Sequence, residues 1–123
     1  MAGTGAHAKH HRKKPRMKLL TRSEEFVLLS VWRLQDEAYS LRIREQISDI
    51  AGSEWSLGSI YTPLERLERK RLLTSRLSKE TPERGGRKKR IYQLTSIGKK
   101  ALVEIQTVGD AMWAGVRESV ATW

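Results

Sequence analysis

The chain contains no cysteine, and its three histidines, His7, His10 and His11, all fall within the first eleven residues. The first absence excludes disulfides and thiolate metal sites and fits a reducing compartment. The second leaves residues 12–123 without the commonest general base and nucleophile partner. The acidic residues read as helix-surface charges matched by bases. The pair Gly85–Gly86 is not followed by the helix that a phosphate-cradling loop needs. No enzyme is expected. Long apolar runs are missing too: FVLLSVW at residues 26–32 is far too short to span a bilayer. The leader lacks the apolar stretch of a secretory signal. The expectation is a soluble cytoplasmic protein with no membrane contact. The three histidines have a spacing that would hold a metal only weakly, with nothing to order them, so neither metal nor cofactor is expected.

Acidic residues are also scarce where the bases concentrate. The chain has 123 residues, enough for one domain plus an extra element, with 38% hydrophobic and 31% charged residues and a net charge of +10. Residues 1–20 hold six Lys/Arg and no acid. Residues 79–90 hold six bases against Glu80 and Glu83. Elsewhere the two signs balance, so the whole excess sits in two short stretches. Such a localised patch suggests a polyanion footprint.

Periodicity supplies the rest. Residues 1–16, MAGTGAHAKHHRKKPR, have none and read as a disordered basic leader, extending to about residue 20. Thr21 and Glu24 have capping-box spacing, and Phe26, Leu29, Trp32 and Leu34 form an apolar stripe, so a helix is expected over 22–36. Ser40 reads as the next N-cap, and Ile43, Ile47 and Ile50 recur at helical spacing until Gly52. A third helix is expected from near Ser56 to about Arg71, burying Ile60, Leu64 and Leu67. Pro63 lies inside it and requires a kink or a later start. LLTSRLS at 72–78 and RIYQLT at 90–95 read as two strands, joined by a tip in which Gly85 and Gly86 permit a turn and cations follow. From Ser96 onward, Ala101, Leu102, Ile105, Val108, Met112, Val116, Val120 and Trp123 describe one helix of about 25 residues. Gly109 and Gly115 either interrupt it or admit another chain closely. The fold class is thus mainly α with a small β-hairpin. The expected order is a winged helix-turn-helix over residues 21–95 and a long C-terminal helix over 96–123 whose leftover stripe offers a partner surface.

LGSIYTPLERLERKRLL and ERGGRKKRIYQLTSIGKKAL, within a match covering roughly residues 20–103, resemble the PadR family of bacterial transcriptional regulators. The most specific parts are Gly58 to Leu67 with Tyr61 and Glu68, the GGRKKR wing, and Leu94-Thr95-x-x-Gly98. The resemblance implies a homodimeric winged-helix DNA-binding protein, usually a repressor, joined through its C-terminal helix, here of the compact branch. Arg71 departs from the pattern, standing where the family commonly has glycine. In compact members, aromatics on the last helix line a pocket between subunits for flat hydrophobic effectors. Trp113 is the candidate, with Trp32 and Met112; the alternative is that these side chains are dimer core.

For DNA binding, the third helix would enter the major groove, where Ser59, Thr62 and Arg66 read base edges or phosphates. Tyr61 and Ser40 would contact phosphates, and Arg87, Lys88 and Lys89 on the wing would grip the backbone or a minor groove. Leu102, Ile105, Val108, Met112 and Val116 would form the dimer seam. The expected partners are double-stranded DNA, a second copy of the chain and a small aromatic effector, with a palindromic operator as target. A winged-helix module that binds only proteins is the alternative, and the uneven charge argues against it.

Overall fold

A computed structural model describes residues 20–79 and 88–123 of the chain. The basic leader and the wing tip, including Pro82, Gly85, Gly86 and Arg87, lie outside the described residues. The elements in order are α1 (Arg22–Leu34), a 3₁₀ turn (Gln35–Glu37), α2 (Ser40–Ala51), α3 (Leu57–Arg69), β1 (Leu73–Leu77), β2 (Arg90–Leu94), α4 (Ser96–Trp113) and α5 (Val116–Ala121). This is a winged helix-turn-helix followed by a C-terminal helical segment.

The capping box forms as its spacing predicts. The Thr21 hydroxyl accepts from the Glu24 N–H at 3.0 Å, and the Glu24 carboxylate accepts from the Thr21 N–H at 2.9 Å. From that fixed start, α1 turns Val27, Leu28 and Val31 inward. It stops two residues earlier than expected, because Gln35 takes φ 51° and breaks the repeat. At α2 the cap needs correction. Ser40 is already helical, and Tyr39, extended at φ −114° and ψ 164°, is the N-cap without a side-chain bond. Gly52 ends α2 in the left-handed region at φ 74°, where glycine has no Cβ penalty.

Ser56 caps α3 through its hydroxyl, which accepts from the Ser59 N–H at 3.1 Å. The helix then runs unbroken through Pro63, which is buried. Pro63 has no N–H, so the Ser59 carbonyl goes without its helical donor. Packing of Ile60, Leu64 and Leu67, all at 1% exposure or less, holds the helix despite that loss.

Arg71 stands at φ 64°, a left-handed conformation that costs a non-glycine residue about 1–2 kcal/mol. Two bonds hold it there, from Leu72 N–H to the Leu67 carbonyl and from Arg71 N–H to the Glu68 carbonyl, both at 2.9 Å. That pair of bonds is the Schellman closure that glycine usually makes. The start of α4 sits directly on this turn. The Thr95 hydroxyl donates to the Arg71 carbonyl at 2.8 Å, its N–H donates to the Leu72 carbonyl at 3.1 Å, and its oxygen caps Gly98 N–H at 3.0 Å. Gly98 is glycine because a Cβ there would overlap the Leu72 carbonyl oxygen. The spacing Leu94-Thr95-x-x-Gly98 is therefore a latch between α4 and the end of α3.

The hairpin is antiparallel, pairing Leu73 with Leu94, Ser75 with Tyr92 and Leu77 with Arg90. Its inward residues Leu73, Tyr92 and Leu94 join the helices and Ala101 in one core. The C-terminal helix is shorter than its periodicity suggested. Ala114 and Gly115, the latter at φ 76°, separate α4 from the six residues of α5. Of the two glycines, Gly115 interrupts and Gly109 does not.

Candidate nucleic-acid interface

Helix α3 buries Ile60, Pro63, Leu64 and Leu67 and leaves the other side open. At roughly 100° per residue, Ser59, Thr62, Arg66 and Arg69 share an arc of about 80° on that open side. All four are exposed. The Ser59 hydroxyl is committed locally, donating to the Ser56 carbonyl at 2.7 Å, and keeps only acceptor capacity for a ligand. Tyr61, half exposed, lies around the helix toward the hairpin. There burial, with the Glu68 carboxylate and Tyr61 nearby, pushes the Tyr92 phenol above its ordinary value.

Two side-chain ties bind the wing root to the helices. The Ser75 hydroxyl on β1 donates to the Glu68 carboxylate on α3 at 2.6 Å, and Arg90 on β2 donates to the Ser75 oxygen at 3.0 Å. On the other flank, the Lys89 ammonium sits over the Tyr39 ring, 4.2 Å from its centroid. The hairpin stays paired one step past its strands, with Ser78 N–H to the Lys89 carbonyl at 2.7 Å and Lys89 N–H to the Ser78 hydroxyl at 2.9 Å. Lys89, which is exposed, thus stands beside the N-terminus of α2, at the N-cap that precedes the half-buried Ser40, and Lys88 is exposed as well. The third wing candidate, Arg87, lies outside the described residues.

A polar, cation-bearing helix face with a tethered basic hairpin is the anatomy of a DNA-reading winged helix. The model of the transcriptional regulator PadR-like family matches residues 28–104, more than half of the chain. The chain belongs to the PadR-like family of transcriptional regulators. Members of this family bind DNA and are not enzymes. Among solved structures, a PadR family transcription regulator from Clostridium difficile is 31% identical, with 79% of this chain covering 97% of that one at a TM-score of 0.58. A PadR-like transcription factor from Bacteroides fragilis is 24% identical, over 96% of this chain and 97% of that one, at a TM-score of 0.58. A PadR family transcriptional regulator from Eggerthella lenta is 20% identical, over 97% and 93%, at 0.62. These last two speak to the fold alone. No curated protein matches the chain.

In this PadR-like chain the effector candidates do not meet within one subunit. The Lys99 ammonium lies 5.3 Å from the Trp32 ring centroid. Trp113 follows fourteen residues later on the same helix, roughly 20 Å further along. Trp32 instead borders an apolar groove of about 540 Å³ between α1 and α2, with Phe26, Leu29, Ile47 and Ile50. Met112 and Trp113 are 73% and 55% exposed. Of the seam candidates, Leu102 packs partly on the subunit's own core and Ile105 is half-buried, whereas Val108, Met112 and Val116 are exposed. Among the described residues no group of three His, Asp or Glu is placed to hold a metal, and no helix is long and apolar enough to cross a membrane.

Sequence reasoning missed Tyr39, Ser75 and Arg90. Ser75 and Arg90 have a signal in the strand alternation, which puts them on the same face as Leu73, Tyr92 and Leu94, the face turned to α3. Tyr39 has none, since its ring is placed by the fold's return of β2 to the 38–40 segment, where the Ala38 carbonyl accepts from Tyr92 N–H at 2.8 Å.

Proposed function

We propose that this regulator is a homodimeric, sequence-specific repressor that acts in the cytoplasm on a palindromic operator and is released by a flat aromatic effector. The observation that carries the reading is the exposed face of α3, with Thr62, Arg66 and Arg69 open, beside a wing root that adds Lys88 and Lys89. Ser59, Thr62 and Arg66 read bases in the major groove. Tyr61, Ser40 and the wing cations Arg87, Lys88 and Lys89 bind phosphates, which fixes register without sequence choice. The leader, residues 21–95 and residues 96–123 act as tail, reader and dimerisation segment.

Dimerisation is supported by two apolar surfaces that the subunit leaves uncovered. One is the groove at Leu29, Trp32 and Ile50; the other runs through Val108, Met112, Val116 and Val120. In a two-fold pair each surface is available to the partner. A pocket uniting Trp32 and Trp113 is open to two chains and not to one. Repression needs only that the dimer occupy its operator, and effector release needs tighter effector binding to the DNA-free form.

The test is binding of the full chain to random duplex across a series of salt concentrations, with Arg87→Ala, Lys88→Ala and Lys89→Ala combined as the comparison. The wild type is expected to lose affinity steeply with salt, and the triple variant to flatten that slope by roughly 0.9 for each phosphate it no longer neutralises. Absence of duplex binding at low salt would favour a protein-interaction module. For the effector, planar phenolic compounds should quench tryptophan emission and weaken operator binding, and Trp113→Ala should abolish both without disrupting the dimer.

A further inference from the structure

We infer that Tyr39 is a positioning residue for DNA binding: its ring holds the Lys89 ammonium beside the first turn of α2, so that the wing's root cation meets the duplex already ordered. The inference rests on the reading of Lys89 as a phosphate contact and goes beyond it by naming what fixes that lysine. A lysine on a hairpin root ordinarily samples many rotamers, and ordering it on a phosphate costs conformational entropy. Here both partners are fixed before DNA arrives. The Lys89 backbone is held by the two bonds to Ser78, at 2.7 and 2.9 Å. Tyr39 is held as the N-cap of α2, one residue beyond the Ala38 carbonyl that bonds to Tyr92 at 2.8 Å. Between these anchors the ammonium lies 4.2 Å from the ring centroid, well inside the range of a cation–π contact.

The contact orders the cation without consuming it. The ring face neutralises no charge and occupies one side of an ammonium that has three N–H donors. Lys89 is exposed and Tyr39 half-buried, so the remaining donors are open to solvent and to a phosphate. A carboxylate in the same place would cancel the charge, and among the described residues no acid forms an ion pair with Lys89. The aromatic ring is thus the partner that stiffens the side chain and leaves its electrostatic attraction intact. It also joins the wing to α2, as Ser75 and Glu68 join it to α3.

The test uses the full chain, a random-sequence duplex and four variants: Tyr39→Phe, Tyr39→Leu, Lys89→Met, and the last two combined. Tyr39→Phe, which keeps the ring, should bind as the wild type does. Tyr39→Leu should bind about two- to five-fold more weakly, the contribution of an exposed cation–π contact. Lys89→Met should lower the salt slope by about 0.9, and Tyr39→Leu should add nothing further in that background. Independent, additive losses would overturn the inference, as would a Tyr39→Phe variant as weak as Tyr39→Leu, which would make the hydroxyl the active group. If Lys89→Met leaves affinity and slope unchanged, the phosphate reading of Lys89 falls and the inference falls with it. Should Tyr39→Leu fail to fold, the wild type still decides: the Lys89 side-chain methylene protons nearest the ammonium must show an upfield ring-current shift by NMR that Tyr39→Phe retains. Unshifted protons would overturn the inference.

Discussion

Residues 20–101 and residues 106–123 follow the same apolar periodicity to opposite ends. In the first region the inward side of each stripe finds a partner within the chain. Val27, Leu28 and Val31 of α1, Ile43 and Ile47 of α2, and Ile60, Leu64 and Leu67 of α3 share one core with the inner face of the hairpin. In the second region the stripe continues through Val108, Met112, Val116 and Val120, yet every residue from Gln106 onward is exposed except Gly109. The difference teaches that periodicity announces a surface to be covered and is silent about what covers it. The first region covers its core from within and leaves open the groove at Leu29, Trp32 and Ile50; the second covers almost none of its own stripe.

The comparison breaks most completely at the joint between the regions. Gly98→Ala drives a Cβ into the Leu72 carbonyl, a backbone atom that cannot turn aside, and should cost about 3 kcal/mol or more in urea unfolding. An equal cost from Gly109→Ala, where a Cβ meets nothing, would refute the latch.

Next in size is Glu24, 1% exposed, which ties the start of α1 to the end of α3 through Lys70 at 3.1 Å. Burial alone would raise its carboxyl, but the Thr21 N–H and the Lys70 ammonium outweigh burial and hold it below the ordinary glutamate value. A carboxyl lowered by folding stabilises the fold above its unfolded pKa, and that stability is lost as pH falls through the folded pKa. Glu24→Gln should therefore cost about 2 kcal/mol near pH 7, and the gap to wild type should close as acidification carries the pH below the lowered carboxyl. A pH-independent gap would assign the effect to shape alone.

A smaller change of opposite sign is expected at Arg71. Arg71→Gly relieves the left-handed backbone and should stabilise by about 1 kcal/mol in the same assay. A loss would mean that the arginine side chain makes a contact that outweighs the strain. The smallest effect on the folded subunit belongs to the second region. Met112→Asp with Val116→Asp should shift monomer stability by less than about 0.5 kcal/mol while halving the mass seen by light scattering. A wild type that is already monomeric at micromolar concentration would remove the dimer from the account.

Much of the first region was legible in the sequence because its signals are local. The Thr21–Glu24 box, the Gly52 stop and the strand run RIYQL each act over a few residues, and each formed. The α3 face was legible for the same reason, since one helix fixes the relation of Ser59, Thr62 and Arg66. What escaped is set by contacts distant in sequence. Tyr39 displaced Ser40 as the cap while its ring took up a lysine fifty residues away. The break at Gly115 was one of two open alternatives, since glycine lowers helix propensity at both positions and only the packed chain selects one. Trp32 and Trp113 share apolar character and no proximity, which a period of 3.6 does not report.

The measurement that bears most directly on the account is sequencing of the genomic duplex retained by the purified full-length chain. A dimeric reader that sets one α3 into each of two major grooves should enrich sites with dyad symmetry, their half-site centres about 10 bp apart or a multiple of that. A single asymmetric half-site would contradict the dimer, and no enrichment over input DNA would contradict sequence reading by α3.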